Sequence, residues 1–503
     1  MRLRCQLASR VIAWCAGLIA LAAALCGPTP ALAQSTSAPS AQGTAQAAPV
    51  PPYTLLSYDE DYSYLADPAQ RADFWDPIKY VPLGEPGWYA TFGGETRQRF
   101  ESYTHYPFAP ALENRHGYDL QRYMELADLH FGPDVRLFAE LKSALAFDKQ
   151  VVFPVDEDRL DLDQAFFDLR LPVDPDDRDS LTIRIGRQEL QYGSGRLIAV
   201  REGPNDRQSF DGGRLILRAG DWRAEALLFR LVDDRPGTFD NQEVTGQFLY
   251  GVYASRPLTV PETWPLGGGT HGIDLYALGF RHEQAPFAQG VATEERYSLG
   301  TRLYGAARGW DYDTEGTYQF GRFGTGAISA YFVGARFGYT FAGLPLSPRV
   351  GLGADVGSGD SDPRRAGLQT FNPMFPAANY FDEASLLTVS NVYDLHPSLD
   401  LHPCPRMNLT FDAVLLWRQS TGDGLYGPNV APILGPGGSS GAGGRGRWVG
   451  VQPTVQYAWQ IDRHLTFTVS YSHLFEGSYV RRTPPPGTGG NVDFLAVWLT
   501  YTF

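Results

Sequence analysis

Lysine is almost missing from this chain. The 42 basic residues include only three lysines, Lys79, Lys142 and Lys149, so positive charge is carried by arginine. Guanidinium groups are planar, keep their charge and hold carboxylates through paired hydrogen bonds, which suits a protein that must hold acids; a GC-rich genome would give the same bias with no function attached. Cysteine is scarce as well. Three of the four cysteines, Cys5, Cys15 and Cys26, fall in the first 33 residues, which leaves Cys404 alone in the rest of the chain. That excludes an intramolecular disulfide and any Cys/His metal cluster in the remainder, so no metal site and no cofactor is expected. Heptads, long 3.6-residue apolar stripes and long apolar runs are absent after residue 33. With 43% hydrophobic residues and a mean hydropathy of −0.25, a helical membrane protein is excluded. The net charge of −14 argues against nucleic acid as a partner.

The first 33 residues are the exception. MRLRCQLASR carries three arginines and no acid, VIAWCAGLIALAAALC is apolar, and Ala31 and Ala33 are small. This is the layout of a secretory signal peptide with cleavage after Ala33. The run is short for a membrane anchor and has no basic stop-transfer flank, and Leu25 fits a lipoprotein site at Cys26 poorly. Removing the three arginines takes the net charge from −14 to −17. Residues 34–87 read as a flexible polar leader followed by a short segment of turns or helix, DEDYSYLADPAQRADFWDPIKYVPL.

What is abundant is period-two alternation. From Trp88 to Phe503 it recurs in about eighteen segments, an even number. Tight turns at 131–134, 171–180, 219–221, 306–309, 342–348, 402–406 and 460–463 alternate with long Gly/Pro-rich loops at 104–117, 146–159, 191–212, 232–246, 358–385, 420–446 and 481–490. The connection 256–272 is long where a short turn is due. The pattern predicts an all-β fold over 88–503: a transmembrane antiparallel barrel with short periplasmic turns and long extracellular loops. The last strand, VDFLAVWLTYTF, places Leu495, Val497, Leu499, Tyr501 and Phe503 on one face, as expected if it closes the barrel against the first strand. Its terminal Phe resembles the signal read by the bacterial barrel-assembly machinery.

If the apolar parity faces lipid, the other parity lines the lumen. It contains Glu95, Arg97, Arg99 and Glu101; Gln164, Phe166, Asp168 and Arg170; Thr182, Arg184 and Gln188; Arg214 and Arg218; Arg296 and Arg302; Asp311, Asp313, Glu315 and Gln319; Arg349 and Asp355; Asp412 and Arg418. Arg187 falls on the outward parity near the outer rim, where a bulge would re-aim it. Such a lumen either guides a polyanion, with acids that hold the arginines extended and stop the polymer from sticking, or is a structural network filling a wide polar interior.

The words GRQEL, YGSGRL, REGPN and SFDG within 184–215 resemble the alginate export family of outer-membrane porins. So do DEDYSYL, DFWDPIKYVPL, FNPMFPAANYF at 371–381, LHPSLDL at 395–401 and WRQSTGDGLYGP at 417–428. The resemblance implies an eighteen-stranded monomeric barrel whose arginine-rich constriction passes an alginate-like anionic polysaccharide outward. The matching positions are Arg187, Arg196, Arg201, Arg214 and Arg418, with Asp211 as the acid. Implied partners are the polysaccharide, outer-membrane lipid, the assembly machinery and periplasmic polysaccharide-export proteins. A gate formed by a late periplasmic loop is also implied; here the late turn QIDR is short and the long periplasmic connection is 256–272. The rival reading is a passive porin for uptake of small anionic solutes such as carboxylates. No enzyme is expected: His473 beside Ser472 lacks an acid in the sequence, and His396 and His402 read as turn residues. Asp355, Asp360 and Asp362 lie within calcium reach in an external loop.

Overall fold

The computed structural model describes residues 52–104, 117–176, 178–362, 364–435, 446–483 and 491–503. The expected signal peptide and the expected leader up to residue 51 lie outside the described residues. Eighteen long strands run antiparallel to their sequence neighbours, and a two-residue strand, Val81–Pro82, adds to the first of them. They begin Trp88–Thr104, Tyr118–Phe131, Val135–Phe147, Asp158–Pro172, Ser180–Glu189, Ser209–Ala219, Trp222–Asp233, Gln242–Pro257 and Thr270–Phe287. They continue Gly290–Ala307, Trp310–Phe323, Gly326–Thr340, Arg349–Gly357, Val392–Cys404, Met407–Arg418, Trp448–Gln460, Leu465–Glu476 and Val492–Thr502. The first pairs with the last in register from Glu95↔Thr502 to Thr104↔Asp493, so the sheet closes and no edge is left. Among the described residues no helix is long and apolar enough to cross a membrane.

Alternation sets the two faces. Ile185, Leu228, Val252 and Leu299 are half exposed or more on the outer wall, while their neighbours Arg184, Leu227, Tyr253 and Ser298 are buried toward the lumen. Aromatics gather near the turns, with Trp88 edge-on to Phe131 and Trp310 against Tyr339, as interfacial girdles do. Phe503 pairs its backbone with Gly94 in both directions (2.9 and 3.0 Å), and Trp75 packs on its ring at 4.6 Å. The terminal residue is thus held between the first strand and the short helix Asp76–Lys79.

Two expectations change. Outer connections are not all long: Phe287 pairs with Gly290 and Phe323 with Gly326, so two hairpins end in two-residue turns at the outer rim. The lumen is not simply charged either. The 189–209 and 357–392 loops fold inward and meet through a parallel bridge, Ile198↔Phe375, with Ala199 N donating to Phe375 O and Phe375 N to Leu197 O, both at 2.9 Å. Leu197, Ile198, Phe371, Phe375 and Val389 join inward Phe210, Phe280 and Phe332 in an apolar cluster across the barrel. Loop apolar residues have nowhere else to leave water, and the wide interior admits them.

Candidate functional site in the lumen

Inward parity brings arginines and carboxylates of successive strands side by side. Arg184 lies opposite Asp168 and Arg214 in the ladder. It forks onto Asp168 with two bonds of 2.7 Å and lies over the Phe166 ring at 3.8 Å. Arg214 donates to Glu225 at 3.0 Å, and Glu225 also accepts from Tyr192 at 2.6 Å. Tyr192 packs against Tyr253, whose hydroxyl donates to Asp274 at 2.8 Å. Arg302 joins Asp274 and Asp313, each at 3.0 Å, and Arg196 reaches Asp313 at 2.7 Å and Glu315 at 3.1 Å. The result is a series of arginine–carboxylate pairs around the wall, from strand Asp158–Pro172 to strand Trp310–Phe323, joined between Glu225 and Asp274 through Tyr192 and Tyr253.

A second knot ties down the inserted 189–209 loop. Arg97 donates to the carbonyls of Glu202 (2.9 Å) and Pro204 (2.6 Å), Arg122 bonds Glu95 and Glu202, and Arg207 Nε lies 2.7 Å from Glu189. Burial alone would raise the Glu202 carboxyl; Arg122, Arg207 and Arg97 overcome it and hold the group down at about 2. Lys142 sits among Asp206 (2.6 Å), Asp234 (3.0 Å), Asp163 (3.4 Å) and Asp158 (3.7 Å). The carboxylate groups Glu140–Asp163–Glu189 and Asp158–Asp206–Asp234 have cation-site spacing. Lys142 and Arg207 already stand against them as countercharges.

Two cavities flank the loop–loop bridge. The outer one, about 510 Å³, is lined by Arg99, Lys149 and Arg201 with Glu101, Asp156 and Glu383. Arg99 is bound to Glu101 and Glu383, and Lys149 to Asp156. Arg201 has left-handed backbone (φ 58°), and its Nε has no hydrogen-bond partner among the described residues. A non-glycine residue held there is strained, and such strain gathers at functional positions. The inner cavity, about 280 Å³, is lined by ladder residues Arg214, Glu225, Tyr253, Asp274 and Arg302 together with Tyr58.

With this geometry in view, residues 88–489 match the model of the alginate export family. The chain belongs to the alginate export family. None of the curated proteins searched matches it. Solved structures of similar fold include OccK11 (OpdR) of Pseudomonas aeruginosa, with 12% identity and a TM-score of 0.51 over 84% of this chain and 99% of that one. OpdK of the same organism, solved with vanillate, gives 11%, 0.52, 82% and 98%. OccK2 (OpdF), in complex with glucuronate, gives 11%, 0.50, 84% and 99%. At such identity the likeness is one of fold. Fold and family are those of outer-membrane channels.

Several residues lie elsewhere than expected. Arg187 is not re-aimed into the lumen. It stays on the parity of Ile185, forks onto Asp211 opposite it (2.8 and 2.9 Å), and the pair sits in a groove lined by outward Ile185, Leu215 and Leu228. Period two overrules the bulge, because Arg187 and Asp211 keep regular register. Arg418 is fully buried; it stacks on Tyr479 at 3.6 Å and bonds the carbonyls of Asp423 and Gly446, so it anchors an outer loop rather than lining the pore. Arg170 lies beside Asp134 of a periplasmic turn, and Arg218 is exposed near the following turn. Asp355 accepts from Tyr380 of the inserted loop at 2.9 Å, and Asp412 bonds His396 at 2.5 Å. His396 is therefore mid-strand, not a turn residue. Asp362 is tied to Arg364 and Asp360 to Gln289 and Gln369, so these two acids do not converge with Asp355. His473 does have an acid, Asp493 at 2.7 Å, but strand alternation buries Ser472 on the lumen side and leaves the pair without a nucleophile beside it.

Sequence reasoning missed Arg122, Lys142 and Glu225, which strand parity would have supplied. It also missed Tyr58, Tyr192, Glu202 and Arg207, which no periodicity marks.

Proposed function

We propose that this protein is a bacterial outer-membrane channel that passes an anionic, uronate-bearing polysaccharide along the arginine–carboxylate ladder. The ladder carries the reading: each arginine is held extended by an acid, so a passing carboxylate exchanges one fork for another and is never bound tightly at one rung. Family membership supports a saccharide cargo and the outward direction. The barrel works as a monomer in lipid, is inserted by the assembly machinery through its last strand, and receives polymer from periplasmic export proteins. The test is a planar-bilayer recording with oligouronates as blockers. Wild type is anion-selective and blocked; Arg214→Glu and Arg302→Glu lose both properties in a correctly folded barrel. Unchanged reversal potential and block in both variants would make the ladder pure scaffolding.

A second reading, uptake of small carboxylates, is favoured by the size of the two cavities, which match single small solutes rather than a polymer while both loops are inserted. Block by free glucuronate at the concentration at which oligouronates block would select it.

A further inference from the structure

We propose that residues 53–66 are a tethered plug that occupies the ladder from the periplasmic side and must withdraw before the channel conducts. This rests on the channel reading. The segment enters at the rim, where the Tyr53 hydroxyl meets His464 Nδ1 at 3.0 Å. It then climbs into the lumen: Leu55 O accepts from Arg207 at 2.6 Å, Ser57 donates to Glu140 at 3.1 Å and Tyr58 O accepts from Arg136 at 2.8 Å. At its tip Tyr58, 3% exposed, lies edge-on to Phe138 and Phe166 and under the Arg184 guanidinium at 4.4 Å. Arg214 donates to its hydroxyl at 3.1 Å, and the hydroxyl donates to Glu189 O at 2.9 Å. The chain then returns to the rim, where Tyr62 lies under Lys79 at 4.6 Å.

Three features separate a plug from a wall. First, its tip binds the rungs a passing anion would use, and the acidic run that follows it, Asp59–Glu60–Asp61, begins with a residue lining the inner cavity beside Arg214 and Arg302. The segment thus presents an aromatic ring and, at Asp59, one carboxylate toward the arginines, as an acidic saccharide would. Second, the clamp on the last strand comes from residues beyond it. Asp73 is bound to His464 at 2.8 Å, Trp75 Nε1 to Tyr501 at 2.8 Å and Lys79 Nζ to Phe503 O at 2.8 Å, while residues 66–69 between clamp and plug are exposed. The plug can leave without loosening the barrel. Third, it lies before the matched stretch 88–489 and contributes no strand to the barrel.

The experiment compares wild type, a variant lacking residues 53–66 and full-length Tyr58→Ala in planar bilayers, each first shown to be a heat-modifiable barrel. Deletion raises conductance, and a synthetic peptide of residues 53–66 added on the periplasmic side, not the outer side, restores the low level. Tyr58→Ala, losing two aromatic edges and hydrogen bonds to the ladder and wall, raises the unplugged population about tenfold or more. Unchanged conductance in both variants, or a peptide that fails to block, overturns the plug. Reversal potentials of the same variants test the channel reading separately: a large but unselective pore in the deletion variant sinks the ladder and leaves the plug standing. If the deletion variant does not fold, Tyr58→Ala alone decides.

Discussion

Replacing Arg184 with methionine asks whether the ladder is structure or conduit. Arg184 is 5% exposed and Asp168 6% exposed, so the substitution leaves a buried carboxylate without its fork. Breaking a buried pair in this way costs about 3–5 kcal/mol. Arg136 stands opposite Asp168 in the ladder and, although forked onto Asp128, leaves a positive charge beside it, which puts the loss near the lower end, about 3 kcal/mol. Loss of stacking on Phe166 and Tyr58 adds about 1 kcal/mol. The sum, about 4 kcal/mol, lowers the folding equilibrium constant about a thousandfold. Removing both partners, Arg184→Met with Asp168→Leu, orphans no charge and stays within about 1.5 kcal/mol of wild type. The assay is urea unfolding in lipid vesicles followed by tryptophan fluorescence, with unchanged slope as the check on two-state behaviour. A single variant losing under about 1 kcal/mol would mean that water screens the pair as it does surface ion pairs. The buried-network account of this wall would then be wrong.

Three further expectations follow from particular contacts. Deleting Phe503 removes the paired backbone bonds to Gly94 and the ring under Trp75, and lowers the yield of heat-modifiable barrel without affecting secretion; normal yield would show that the last residue is dispensable for closure. Burial raises the Asp382 carboxyl from its usual range to about 6, the neighbouring Glu383 adds to this, and bonds from Ser472 and Thr454 only partly oppose it. The docked loop therefore favours neutral Asp382, so docking is strongest below the ordinary carboxyl range and weakens as pH rises through about 6. Protection factors in 357–392, corrected for the intrinsic exchange rate at each pH, should fall across that window, and the fall should vanish in Asp382→Asn. A Cβ on Gly300 would meet the Tyr276 ring at 2.2 Å, so Gly300→Val displaces that ring, breaks its bond to Glu315 and costs about 1–3 kcal/mol in the same urea assay.

The sequence by itself determined the barrel. Period two is a local property, and each strand carries its lipid face and lumen face in its own letters, so strand number, closure and the inward position of Arg184, Arg214 and Arg302 were legible. Arg187 shows the same rule from the other side: its parity was plain, and the register with Asp211 kept it outward. Tertiary structure alone decided what fills the barrel. The 189–209 and 357–392 loops and the segment around Tyr58 have no alternation to read. Their apolar residues go inward because a wide interior is the one place nearby where they leave water while the strands' arginines satisfy their carbonyls. Arg418, read as pore-lining, became a loop anchor for the same reason: partners on distant segments, Tyr479 and Gly446, fix where a side chain ends, and strand parity fixes only where it starts.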